Sequence, residues 1–379
     1  MRHSHAIKSI TAHPLRYPEP HDHGKLRQVT LARVETADGA VGWGECISQF
    51  PDSCLATKIV IEQGYAPMLA GQNPLEVEAR WHQMLDRIWW YGPQGIAAFA
   101  VSAVDMALWD LKGKLLGVPV CNLIGGQLSD TVRAMASIHF DLDDLDSMAA
   151  EFGGFRERGY KIVKGGWGRD PQSAFGIHEH RDLELTRCIR DAIGPDIDLV
   201  MDVCGARIEW DAHTAIDRIQ KLEKYRMFWI EEPLAPQDYK AHVFLRSRIS
   251  TRIGSGEQEW NADGYRRLIE AGGVDVVQID PGRCHGITGA LKAIKLVEAA
   301  KLKFSAHTWS SAINTAASVH LLAASKAGLC MDFKPHESPM QHELVTDPWT
   351  PDQGLIRVPD KPGLGVTVRE EIVKKYEFN

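Results

Sequence analysis

The feature that most limits how this chain can fold is a series of short apolar runs, each closing on a polar residue. TVRAMASI, KIVKG, DLVMDV, MFWIEE, RIGSGE, DVVQID, KFSAHT and LCMDF follow one another from residue 131 onward, separated by helical segments. Near-continuous apolar runs of this length suit parallel strands buried on both faces. Eight of them predict an α/β fold, a (β/α)₈ TIM-like barrel, in which catalytic groups sit at the C-terminal ends of the strands. The closing residues are Lys164, Asp202, Glu231, Glu257, Asp280 and His307, with Asp332 or Glu337 after the last run. From Asp202 onward they lie 29, 26, 23 and 27 residues apart, about one strand-and-helix unit each, so the side chains converge on one mouth.

Ahead of the barrel, VTLARVETADGAVGWGECI (29–47) alternates and breaks at Asp38-Gly39, a hairpin signal. IAAFAVSAVDMALWDLKGKLL (96–116) reads as a helix ended by Gly117 and Pro119. We therefore expect an N-terminal α+β capping domain over 1–126, a barrel over 127–345 carrying the chemistry, and a C-terminal tail over 346–379 that returns to complete the capping domain.

At 379 residues the chain exceeds what one small core usually serves. A net charge of −7 without any Lys/Arg-rich run argues against nucleic acid or an anionic membrane as partner. The seven cysteines are dispersed with no CxxC pair, which suits a reducing compartment. MRHSHAIKSI has no apolar leader core, and no stretch reaches the roughly 18 apolar residues of a membrane span. A soluble cytoplasmic protein, forming a homo-oligomer, is expected.

FWIEEP (228–233) drives an apolar strand straight into two carboxylates, and a buried unpaired charge is costly. Three carboxylates at one mouth, Asp202, Glu231 and Glu257, repel one another unless a cation lies between them, and hard oxygen donors suit Mg²⁺. Strand alternation lets only one of Glu231 and Glu232 face that ion. Glu231 is assigned as ligand, and Glu232 is expected to brace a lysine or backbone group. Asp280 and His307 close neighbouring runs. A carboxylate beside an imidazole fixes its tautomer and raises its basicity, giving a general base. Lys164 is placed to contact a substrate carboxylate or lower a neighbour's pKa, and His285 in DPGRCHG is within reach of the same mouth.

With those residues in hand, the chain resembles the enolase superfamily, specifically the mandelate racemase / muconate lactonizing enzyme group. ALWDLKGKLLGVPVCNLIGG (107–126), WIEEP, GSGE, D…GITGALK and the terminal PGLGV match its landmarks in order over nearly the whole chain. The resemblance implies Mg²⁺ on Asp202, Glu231 and Glu257, a substrate carboxylate on the metal, and removal of the proton alpha to it. Members of this superfamily use a Lys or His base with Mg²⁺ stabilising the ene-diolate. It also implies that Glu337, or else Asp332, is the last-strand acid that bonds the enediolate. Two departures stand out. The family's second strand often carries Lys-x-Lys, whereas here Lys164 is followed by Gly166, and Cys204 replaces a frequent Asn.

Racemisation uses a base on each face of the carbon, and Gly166 removes one. Dehydration needs one base, which can then protonate the departing hydroxide. We therefore expect a Mg²⁺-dependent dehydratase of an acid sugar, aldonate or aldarate, giving a 2-keto-3-deoxy acid. The rivals are a racemase, epimerase or cycloisomerase of a carboxylate substrate, or a catalytically silent protein binding metal or sugar acid. His21, Asp22, His23 and Lys25 in PEPHDHGKLRQ, with the loop QFPDS (49–53), are expected to read the sugar hydroxyls. Trp89, Trp90 and Tyr91 are placed over the entrance or in the core.

Overall fold

A computed structural model describes residues 5–168, 174–205, 207–208 and 210–379. Its first sheet is antiparallel, in the order β1 (Ile7–Glu19), β2 (Lys25–Thr36), β3 (Val41–Cys46). The β2–β3 connection is the turn expected at Asp38-Gly39, and Gly39 takes a positive φ of 89°. The helix Ile96–Leu116 lies against this sheet and stops at Gly117, whose φ of 70° is the left-handed closure open to glycine. Contact is close because β3 reads Gly-Trp-Gly: a Cβ at Gly42 or Gly44 would stand 2.2 or 2.0 Å from a helix carbonyl oxygen.

The barrel strands follow as β4 (Thr131–His139), β5 (Ile162–Gly166), β6 (Asp198–Asp202), β7 (Trp229–Glu231), β8 (Arg252–Ser255), β9 (Val276–Ile279), β10 (Lys303–Ala306) and β11 (Gly328–Phe333). They pair in sequence order, and β11 pairs with β4 to close the ring. All eight apolar runs are these strands. Their inward side chains, including Met135, Ile162, Val200, Trp229, Val276 and Cys330, fill the barrel as one buried cluster.

The tail first adds β12 (Leu355–Arg357) antiparallel to β4. It then reaches the first sheet, where Phe378 N donates to Pro14 O at 3.0 Å. Buried carboxylates fasten cap to barrel. Glu45 of β3 accepts from the backbone N of Ser311 and Asn314, both at 3.1 Å, at the start of the helix Ala312–Ala323, where the helix dipole favours an anion. Asp105 accepts from Thr288 N at 2.9 Å and from its hydroxyl at 2.6 Å. Among the described residues, no helix is long and apolar enough to cross a membrane.

Candidate active site

The strand ends surround a cavity of about 520 Å³ under the capping domain, lined by Lys164, Asp202, Glu257, Asp280, His307 and Asp332 among others. The register sets their height: Gly166 is level with Asp202, and Asp202 with Glu231. Glu231 is fully buried, and the Trp229 indole donates to it at 3.1 Å.

Lys164 stands among the acids. Its Nζ donates to Glu231, lies 3.3 Å from Asp202 Oδ2 and 3.5 Å from Asp332 Oδ1. Burial disfavours its charge, but Asp332, Glu231, Asp202 and Glu257 together hold it well above the ordinary lysine range. Burial also opposes ionisation of Glu231, yet Lys164 keeps that carboxyl below its usual range. One lysine does not balance the rest. Burial and then the carboxylates of Glu257 and Asp202 push Glu232 well up, and Asp202 is likewise raised, first by burial. Glu232 Oε1 and both oxygens of Asp332 are buried without a well-formed hydrogen bond. A divalent cation fits this donor set: all oxygen, anionic in excess, with buried oxygens still unmet. Asp202, Glu231 and Glu257 are the strand-end residues that would hold it. The acids stand apart around Lys164. Among the described residues, the three-ligand cluster within a mutual 4.8 Å is a different one, His21, Glu151 and His336.

An imidazole–carboxylate pair closes β9 and β10. His307 Nδ1 donates to Asp280 Oδ2 at 2.7 Å. Asp280 is itself immobilised: its Oδ1 accepts from Gly282 N at 2.7 Å and from the Asn314 amide at 3.0 Å. Because Asn314 also donates its backbone N–H to Glu45, the capping domain is tied to the carboxylate that holds His307. Nε2 of His307 is left for the cavity, 3.5 Å from Glu257 Oε2. Burial pulls this imidazole down, but the Glu257 and Asp280 carboxylates outweigh it and push it up to about 10.

Several expected residues lie elsewhere. Glu337 is exposed and does not line the cavity; Asp332, pointing in from β11, does. His23 and Lys25 are exposed at the turn after β1, outside the cavity wall, because His23 closes that turn in the left-handed region (φ 56°) and carries the chain outward. His21 lines a separate small recess with His336. His285 is buried behind the wall, its Nε2 bonded to Pro93 O at 2.7 Å. Among the described residues, the group that braces Glu232 is the Gln258 amide, at 2.8 Å, where a lysine or backbone group was expected. Trp89, Trp90 and Tyr91 are 74%, 78% and 54% exposed, neither core nor entrance.

Of the loop QFPDS, Gln49 and Phe50 line the cavity, and Arg27, His139, Arg207 and Arg283, which the sequence reading did not single out, line it with them. Asp22 is buried, donated to by Arg27, and joined at 2.8 Å to Nδ1 of His139, the last residue of β4. His139 stacks on Trp167 with ring centres 5.8 Å apart. The strand-end pattern contained this signal: the first run was read as ending at Ile138, one residue short of a polar side chain. Arg207, over Trp167, and Arg283, over Trp260 at 3.6 Å, add two more guanidinium groups.

Two family descriptions match the chain: "Mandelate racemase / muconate lactonizing enzyme, N-terminal domain" over residues 11–125, and "Enolase C-terminal domain-like" over 147–372. The chain is 30% identical over 349 residues to D-gluconate dehydratase of Thermoproteus tenax, covering 91% of this chain and 69% of that protein. It is 28% identical over 363 residues to D-galactarolactone cycloisomerase of Agrobacterium fabrum, covering 93% and 92%. The crystal structure of 3,6-anhydro-D-galactonate cycloisomerase from Zobellia galactanivorans superposes with a TM-score of 0.89 at 29% identity, over 99% of this chain and all of that one. With both halves of the fold matched in order and the strand-end acids and imidazole gathered round one cavity, the chain belongs to the mandelate racemase / muconate lactonizing enzyme group of the enolase superfamily.

Proposed function

We propose that the protein is a Mg²⁺-dependent dehydratase of a sugar acid, converting an aldonate or aldarate to a 2-keto-3-deoxy acid. The observation that carries this reading is the single oriented base. His307 is fixed through Nδ1 by Asp280, while the second strand offers only Gly166 where another base would stand. A side chain there is blocked, since a Cβ at 166 would lie 2.6 Å from Asp202 Cβ.

A divalent ion on Asp202, Glu231 and Glu257 would supply the charge that acidifies the α-carbon and stabilises the dianion formed from the substrate carboxylate. Lys164 holds one edge of that charge cluster. With a cation neutralising Glu257, the His307 imidazole would fall from its raised value so that Nε2 can take the α-proton, and Asp280 would stabilise the imidazolium that results. The same imidazolium then protonates the departing β-hydroxyl, so one residue serves both steps. Arg27, Gln49 and Phe50 bring the capping domain to the sugar end of the cavity.

A cycloisomerase reading draws support from the two relatives bearing that name, and it also begins with one base. The test is a library of aldonates, aldarates and their lactones or anhydro forms, incubated with Mg²⁺. Keto acid with loss of water from an open-chain acid supports dehydration. Ring opening of a lactone or anhydro sugar, with open-chain acids left untouched, selects the cycloisomerase, and no turnover of any member refutes both.

A further inference from the structure

Outside the catalytic cavity, the first recess beside it carries a different donor set. His21, in the turn Pro20–Asp22 of the capping domain, Glu151, on the helix Leu145–Glu157, and His336, in the loop after β11, place one ligand atom each within 4.8 Å of one another. Both imidazoles aim at one oxygen, Glu151 Oε1. His21 Nε2 lies 3.2 Å from it and His336 Nε2 lies 2.5 Å from it. The two rings stack at 3.9 Å with planes 16° apart, and all three side chains are largely shielded from solvent.

We propose that His21, Glu151 and His336 form a second metal site, specific for a borderline divalent transition ion such as Zn²⁺, Co²⁺ or Ni²⁺. Two imidazole nitrogens and one carboxylate oxygen are donors those ions favour, whereas Mg²⁺ prefers oxygen alone. Bonds of about 2.0–2.1 Å set neighbouring tetrahedral donors about 3.3 Å apart, so the present spacings reach that geometry with shifts of about an ångström. Three protein ligands leave a fourth position for water. The ligands come from three segments: the capping turn, the first barrel helix and the last barrel loop. A bound ion therefore staples the turn to the barrel. Asp22, the next residue after His21, holds Arg27 and His139 in the catalytic cavity, so the staple fixes the part of the cap that faces substrate.

The full-length protein, saturated with Mg²⁺ to occupy the catalytic carboxylates, is titrated with Co²⁺ by visible absorption and with Zn²⁺ by calorimetry. The expected result is one equivalent of either ion, a tetrahedral Co²⁺ spectrum, and a rise in Tm on adding Zn²⁺. His336→Ala, Glu151→Gln and His21→Ala each lose all three responses while circular dichroism and the metal-free melt show a folded protein. Having three separate variants guards against one that fails to fold. Absence of binding in the parent overturns the proposal, and so does the same stoichiometry and spectrum in folded variants.

Discussion

Asp280→Asn changes one atom, and the structure dictates which way the new group must point. Asp280 Oδ1 accepts from both Gly282 N–H, at 2.7 Å, and the Asn314 amide, at 3.0 Å. An asparagine must keep its oxygen there, because turning its NH₂ toward two donors would oppose three N–H groups. The amide nitrogen then falls where Oδ2 stood, 2.7 Å from His307 Nδ1, and donates to it. The ring proton is forced onto Nε2, so the nitrogen facing the cavity becomes a donor and can no longer accept the α-proton. In a serine protease the corresponding carboxylate-to-amide change lowers kcat about 10⁴-fold through the wrong tautomer. At 1.36 kcal/mol per decade that is about 5.4 kcal/mol of barrier. The assay is keto-acid formation with a substrate found by library screening, alongside α-hydrogen exchange in D₂O. Both rates should fall about 10⁴-fold, with KM and the melting curve little changed. A folded variant retaining a tenth or more of the parent kcat would refute the tautomer argument.

Glu257→Gln removes a carboxylate from the proposed ion site and should weaken Mg²⁺ binding by about tenfold or more, read by calorimetry; an unchanged titration would remove Glu257 as a ligand. Gly166→Ala should destabilise the fold by about 1–3 kcal/mol through overpacking against Asp202 and weaken Mg²⁺ binding too. A Tm and a Mg²⁺ titration matching the parent would show that Asp202 moves aside freely. Asp105 has its pKa raised to about 7, chiefly by burial, against 3.8 as its ordinary value. The folded state therefore holds its proton more tightly, and this group's contribution to stability falls as pH rises from about 4 through 7. Asp105→Asn abolishes that fall, so the stability of the variant relative to the parent should improve by up to about 4 kcal/mol between those limits. A difference in denaturant stability that stays flat with pH would contradict it.

The barrel was legible because a parallel strand covered by helices must be apolar on both faces, and LVM, FWI and DVVQI leave little else to be read. The acids and the imidazole were legible for the same reason: a charge terminating such a run has to lie at the mouth. β1 was not. IKSITAHPLRYPE contains Pro14 and Pro18, which argue against a strand, but β1 is the edge strand of its sheet, with β2 its one partner in the strand order, and a missing N–H is tolerated at an edge. Capping residues were the hardest to place. Their direction is set by a turn, and in HDHGK the residue that turns inward is Asp22, while His23, in the left-handed region, carries the chain outward. Arg27 reaches the cavity from β2 because Asp22, five residues before it, and His139, across the domain boundary and 112 residues along the chain, meet it there. Glu337 and Asp332 were separable only in three dimensions, by which one points inward from β11.

The most direct test is hydrogen exchange at the α-carbon in D₂O with Mg²⁺ present, comparing the parent with His307→Asn. The parent should release the α-hydrogen as it forms product, while the variant, folded and still binding Mg²⁺, should release none. Release at the parental rate from the variant would show that another group removes the proton.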